Sequence, residues 1–372
     1  MPANRPSSAH RCINWEGEKQ ISLGLQGGGS HGAFTWGVLD YLLEDKRLDV
    51  EAISGCSAGA MNAVVFCEGY LEDGREGARR KLHEFWHSIS DDGTIQAVQR
   101  QVFEQVFAGM KFEDSPGFQI MDLMTHYLSP YQFNPLDINP LRDHLIKMID
   151  FEKVRACTDI KLFISATNVH TGKIQLFERP ELTVDHIMAS ACLPYLFKAV
   201  EIDGVPYWDG GYMGNPAVYP LFYNAASQDV VIVQVNPVES HDTPTSAREI
   251  QNRLNEITFN GTLLREFRAI EFVNRLIADG KLPEGEYREA FMHRIDGGLP
   301  LSGFSAASKL NTSWTFLQGL RDIGRESARA FLMAHFDDLG NRGTLNLREA
   351  FSGGQSEPKS VPRLAAMAQT VR

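Results

Sequence analysis

Serine, aspartate and glycine occur in this chain at spacings that acyl transfer would use. Ser57 sits in Gly55-Cys56-Ser57-Ala58-Gly59, which matches the G-x-S-x-G pattern of a nucleophile elbow. A hydroxyl at such a turn stands out on a strained backbone. The flanking glycines remove Cβ atoms that would meet the neighbouring strand and helix. A helix starting at the turn also aims free N–H groups and the positive end of its dipole at the serine. Upstream lies Gln26-Gly27-Gly28-Gly29-Ser30-His31-Gly32. Attack by serine on an ester builds negative charge on the carbonyl oxygen, and donors must already point there. Consecutive glycines let neighbouring amides converge on one point.

Other readings of the glycine run remain open at this level. It could be a plain flexible turn. A phosphate loop of the P-loop type needs a Gly-Lys-Ser/Thr ending, and no such lysine follows. Gly27, Gly29 and Gly32 do fit G-x-G-x-x-G, and Asp45 and Asp49 lie in range for a ribose contact. A dinucleotide site would leave the elbow unexplained.

A serine nucleophile needs a base. Asp209 ends an apolar segment and is followed by Gly210 and Gly211. Loops at strand ends are where α/β sheets collect active-site groups, although Asp-Gly is also a strong turn signal. A Ser–Asp–His arrangement is the alternative, with His241, His293 and His335 downstream. His83 and His87 are spaced i, i+4, as a metal pair would be, but no H-E-x-x-H is completed. They read as helix-surface or packing residues.

These residues require a particular scaffold. Ile21 to Leu25 reads as a strand, the glycine loop follows, and Phe34, Val38, Tyr41 and Leu42 recur at helical spacing. Val50 to Ile53 is a second strand, leading into the elbow and another apolar helix. The pattern predicts a helix from Arg75 to about Met110, helices over 141–149 and 184–191, and strands over Lys161–Asn168 and Val230–Val235. It adds hairpin strands at Ile174–Phe177, Ala199–Ile202 and Val205–Trp208. A long helix over 247–279, a strand near 289–295 and a helix over 312–335 complete the series. The stretch Glu113–Pro140 is broken by prolines yet rich in Phe118, Ile120, Met121, Leu123, Tyr127 and Phe133. It reads as core with a candidate cap over an apolar pocket. Residues 1–20 read as a flexible leader, 21–350 as one catalytic domain with a helical extension over 245–350, and 351–372 as a disordered tail.

Composition narrows the classes. A net charge of −11 argues against broad nucleic-acid binding. Five cysteines, at 12, 56, 67, 157 and 192, include no C-x-x-C pair, which suits a reducing compartment and argues against structural zinc. No apolar run approaches the ~18 residues of a membrane span, and residues 1–20 lack a signal-peptide core. The expectation is a cytoplasmic protein.

Taken in order, Gly27-Gly28-Gly29-Ser30-His31-Gly32, Gly55-Cys56-Ser57-Ala58-Gly59 and Asp209-Gly210-Gly211 resemble the motifs of the patatin-like phospholipase family, with Ala189–Pro194 like its stretch ahead of the aspartate. The resemblance covers about residues 20–220. It implies a three-layer α/β/α fold with a mainly parallel central sheet, and lipid acyl hydrolysis by a Ser–Asp dyad. It makes Ser57 the nucleophile, Asp209 the base and Gly27, Gly28 and Gly29 the oxyanion hole, supported by Gly32, Gly55, Gly59, Gly210 and Gly211. His31 departs from the lysine or arginine the family has there. No metal or organic cofactor is implied. The implied partner is a lipid or acyl-ester substrate, with peripheral membrane contact left open. An acyltransferase, thioesterase or polyester depolymerase would use the same residues. A lipid-binding protein without turnover and a nucleotide-binding protein are the readings from other classes.

Overall fold

The computed structural model describes residues 16–90, 128–137, 139–239, 243–283, 286–302, 304 and 306–352. The leader up to residue 15, the tail from 353, His241, the far end of the helix expected after Arg75 and most of the candidate cap, Phe118 to Tyr127 included, lie outside the described residues.

The chain begins β1 (Lys19–Leu25), α1 (Gly32–Asp45), β2 (Leu48–Gly55) and α2 (Ala58–Ile89). In β1 the apolar Ile21, Leu23 and Leu25 alternate with Ser22 and Gly24, yet every residue from Ile21 onward is buried. That is the pattern of a central strand in a sheet covered on both faces. All eight residues of β2 are buried as well. Its two carboxylates are matched to partners: Asp49 to Arg75 at 2.5 Å, and Glu51 to Lys161 at 2.8 Å and the Ala226 and Ser227 amides. Asp73 and Gly74 leave helical geometry inside α2, so it is two helical segments across a kink.

Further along come α3 (Pro140–Met148), α4 (Phe151–Ala156), β3 (Lys161–Asn168), β4 (Ile174–Glu178), α5 (Val184–Ser190), β5 (Val200–Ile202), β6 (Val205–Asp209), α6 (Tyr219–Asn224) and β7 (Asp229–Gln234). The described part of the chain closes with α7 (Ala247–Ala278), β8 (Phe291–Asp296), α8 (Trp314–His335) and α9 (Leu347–Ser352). The eight strands form one sheet in the order β5-β6-β3-β2-β1-β7-β8, with β4 beside β3. Strands β3, β2, β1, β7 and β8 are parallel, while β4, β5 and β6 join antiparallel at one end. The hairpins expected at 174–177 and 199–208 are therefore additions to the β3 side of the parallel core.

Alternation along the strands divides the core into two layers. Leu23, Ile53, Val231 and Val233 pack with Phe34 and Val38 of α1, Phe66 and Leu82 of α2, and Leu317 and Leu320 of α8. Ala52, Val230, Ile232 and Met292 face the other way, onto Leu221 of α6, Leu263 and Phe267 of α7, and Leu347 of α9. Burial of each large side chain contributes about 2 kcal/mol. Helices α1 and α8 approach most closely at two glycines. A Cβ at Gly37 would run into the Arg321 carbonyl, and one at Gly324 into the Phe34 carbonyl. The result is an α/β/α arrangement around a mainly parallel sheet.

Candidate active site

The glycine loop leaves the carboxyl end of β1 and the elbow leaves the carboxyl end of β2, side by side because Leu25 pairs with Gly55. Asp209 is the last residue of β6 and pairs with Ala166 of β3, two residues beyond the Ile164–Gly55 pair. The sheet thus brings Gly27, Ser57 and Asp209 to one edge, where open α/β sheets bind ligands.

Ser57 has φ 52° and ψ −122° and stands immediately before the first turn of α2. A positive φ on a residue with a Cβ is a strained position that the surroundings must enforce. They do so here. Ser57 N–H donates to Ser190 Oγ at 2.9 Å, and the Met61 amide closes on the Ser57 carbonyl at 3.1 Å. A Cβ at Gly59 would overlap the Leu25 carbonyl, which is why the elbow tolerates nothing larger there. Gly55 is packed against Gly59 and Ala60 in the same way, and Gly32 against Ala58 and Trp86.

Asp209 is 1% exposed. Its Oδ1 accepts from the Gly211 amide at 2.7 Å, and the Cys56 thiol approaches the same oxygen at 3.6 Å. Its Oδ2 is buried with no hydrogen-bond partner of standard geometry. Burial pushes its pKa up to about 6; the Gly211 amide, the nearby Ser57 hydroxyl and the Cys56 thiol oppose that rise. The backbone is fixed from both sides: Asp209 N–H donates to Cys192 O at 2.8 Å, and Thr167 Oγ1 donates to Asp209 O at 2.8 Å. Gly210 passes so close to the Ser165 carbonyl that no side chain fits, and Gly211 lies against Asp209 and the Phe259 ring.

The three loop glycines differ in what their amides do. Gly27 N–H donates to Asn215 Oδ1 at 2.7 Å. It is already satisfied, which sets Gly27 apart from Gly28 and Gly29 among the three residues expected to line the oxyanion hole. A Cβ on Gly27 would lie 2.7 Å from Ser57 Cβ, so Gly27 supplies closeness instead of a donor. The Gly28 and Gly29 amides have no acceptor among the described residues, and neither has the Ala58 amide at the start of α2. Gly29, at φ 58°, turns the loop against the Lys309 carbonyl.

His31 is buried and bonds Ser308 Oγ through Nε2 at 2.7 Å. Its ring lies near those of Phe304 and Phe316. Burial, with Lys309 adding to the effect, pulls its pKa down to about 3, so it is neutral at physiological pH. Of the histidines expected as alternatives for the base, His293 is held by Asp229 and Thr344 and His335 by Asp338. His83 and His87 stack on each other and meet the edge of Trp314, a packing arrangement. Among the described residues no group of three or more His, Cys, Asp or Glu side chains could hold a metal ion.

Sequence reasoning missed Asn215, Asn236 and Lys309, which act on the loop from distant positions. It pointed to free N–H groups at the start of the helix after the elbow without singling out that of Ala58. Ser190 lies inside the Ala189–Pro194 stretch but had no assigned role.

A half-buried serine at a strand–helix turn, a buried carboxyl and a glycine loop thus stand together at the carboxyl ends of the strands. The chain matches the family description "Patatin-like phospholipase" over residues 23–222, and it belongs to the patatin-like phospholipase family. No curated protein matches it by sequence. Among solved structures it is similar to VipD from Legionella pneumophila, at 13% identity, covering 81% of this chain and 66% of that one, with a TM-score of 0.35. It is also similar to the type III effector ExoU, at 14% identity over 84% and 53% of the two chains, TM-score 0.30. The ExoU–SpcU complex from Pseudomonas aeruginosa gives 12% identity, 86% and 52% coverage and a TM-score of 0.29. The chain therefore spans less than two thirds of the length of these structures, and likenesses this weak carry no argument beyond the family match. Among the described residues no helix is long and apolar enough to cross a membrane.

Proposed function

We propose that the protein is a serine acyl hydrolase of the phospholipase A or lipase type, acting on lipid or other apolar acyl esters through Ser57 and Asp209. The observation that carries this reading is a strained, half-buried Ser57 near a buried Asp209 whose Oδ2 has no hydrogen-bond partner. A serine hydroxyl needs an acceptor for its proton within hydrogen-bond reach, and such contacts tighten when substrate binds.

In the proposed cycle Ser57 Oγ attacks the ester carbonyl while its proton passes to Asp209 Oδ2. The oxyanion is met by the amides of Gly28 and Gly29, with the Ala58 amide and the dipole of α2 behind Ser57. Collapse of the intermediate expels the alcohol, which takes the proton back from Asp209. Water then attacks the acyl-enzyme by the same route. A pKa near 6 keeps Asp209 ionised at neutral pH and makes it a better base than an ordinary carboxylate.

The test is an ester panel of graded acyl length, run with wild type and Ser57→Ala, together with fluorophosphonate labelling. Expected are labelling at Ser57, rates that rise with chain length and loss of both in the variant. Turnover that survives in Ser57→Ala refutes the assignment.

A further inference from the structure

The carbonyl of Gly27 belongs to the same peptide unit as the amide of Gly28. That carbonyl accepts a hydrogen bond from Asn236 Nδ2 at 2.7 Å. The other end of the Asn236 carboxamide is engaged too, because Lys309 Nζ donates to Asn236 Oδ1 at 2.8 Å. The partners fix the orientation of this side chain: an ammonium can only donate, and a carbonyl can only accept. Gln26 locks the residue further: its Oε1 accepts from the Asn236 backbone N–H at 3.0 Å and from Asn236 Nδ2 at 3.3 Å.

Read from the outside inward, the bonds run head to tail. The Lys309 ammonium donates to a carboxamide oxygen, the carboxamide nitrogen donates to the Gly27 carbonyl, and the free end of the series is the Gly28 N–H. Hydrogen bonds in such a chain polarise one another in the same sense. A positive charge at the first donor therefore makes the last N–H a stronger donor. His31, inside the glycine loop, is neutral and bonded to Ser308, so it supplies no such charge.

We propose that Lys309 is a positioning and polarising residue for the oxyanion hole, acting through Asn236 and the Gly27–Gly28 peptide. The proposal rests on the hydrolase reading above. Lys309 also fixes the loop sterically, since its carbonyl is what Gly29 packs against. That backbone contact stays when the side chain is changed, which makes the side chain separately testable. Burial lowers the pKa of the ammonium, and Glu256 opposes the shift.

The experiment compares wild type, Lys309→Gln, Lys309→Arg, Asn236→Ala and the Lys309→Gln/Asn236→Ala double variant. It reads kcat and KM on one chromogenic ester, inhibition by a trifluoromethyl ketone, which places an oxyanion in the same hole, and melting temperature. Lys309→Gln is expected to lower kcat about tenfold at unchanged KM, a fraction of the hundredfold or more that losing a donor outright costs. Ketone affinity should fall in step with kcat, Lys309→Arg should recover most of both, and Lys309→Gln should add nothing in the Asn236→Ala background. Wild-type kcat and ketone affinity in Lys309→Gln would overturn the proposal. So would an undiminished effect in the Asn236→Ala background, or a loss that appears only with a raised KM and a lowered melting temperature. Fluorophosphonate labelling of wild-type Ser57 separates the two levels. Labelled enzyme insensitive to Lys309 sinks the relay alone, whereas unlabelled, inactive wild type sinks the hydrolase reading and the relay with it.

Discussion

Replacing Asp209 by asparagine should abolish activity and at the same time stabilise the fold. Asp209 is buried, and its pKa rises from 3.8 to about 6 chiefly for that reason. At about 1.4 kcal/mol per pH unit, that rise amounts to about 3 kcal/mol. The folded protein holds this proton more tightly than the unfolded chain. The group's contribution to stability is therefore fully present below pH 3.8 and is lost as pH rises through about 6. At pH 7.5 the protein carries a buried carboxylate with one unbonded oxygen. Asparagine keeps the Oδ1 acceptor for Gly211 and removes the charge. Urea unfolding at pH 7.5 should show Asp209→Asn more stable by about 1–3 kcal/mol, with the gap closing near pH 4. In parallel, wild-type kcat/KM should fall about tenfold per pH unit once pH drops below the Asp209 value, because only the ionised form accepts the proton. A variant less stable than wild type at pH 7.5, or a wild-type profile flat down to pH 5, would refute the reasoning.

Ser57→Gly should lose turnover and fluorophosphonate labelling yet gain about 0.5–1 kcal/mol in chemical denaturation, because glycine accepts the positive φ without strain. Gly28→Val should reduce kcat by about a hundredfold or more in stopped-flow acylation, since its Cβ would meet Val235 Cγ2 at 2.7 Å and displace the loop amides. His293→Ala should leave kcat/KM near wild type below its melting temperature. It should also lower stability by about 2 kcal/mol, because Asp229 and Thr344 lose a buried partner. A fall in kcat/KM as deep as that of Asp209→Asn, in folded protein, would restore a histidine as base.

The strands nearest the site were legible because they carry local signals. Ile21, Leu23 and Leu25 alternate before a glycine run, and Val50 to Ile53 leads directly into the Gly55–Gly59 turn. Asp209 was legible for the same reason, as an acidic residue between an apolar segment and two glycines. The web behind the loop was not. Asn215 and Asn236 sit in stretches with no periodicity of their own. Asn236 reaches Gly27 because the sheet order places β7 beside β1, and Asn215 reaches it from the loop that follows β6. That neighbour relation is a property of topology, which hydrophobic pattern does not encode. The distinct bonding of Gly27 was hidden in the sequence as well. Three glycines look equivalent in sequence, and only a side chain arriving from position 215 tells the first from the other two.

The place of β7 also bears on where this chain can be divided. The family match ends at residue 222, but β7 begins at Asp229 and fills the space between β1 and the edge strand β8. A fragment ending at 222 would turn β1 into an open edge, its unpaired backbone groups ready to template pairing with another chain. The glycine loop would then hang from the least protected strand of the fragment, without Asn236 to hold it. Helix α8 would be missing from its close seat on α1, leaving Phe34 and Val38 bare. Such a fragment should aggregate instead of hydrolysing esters, so the boundary of sequence resemblance is no boundary of folding.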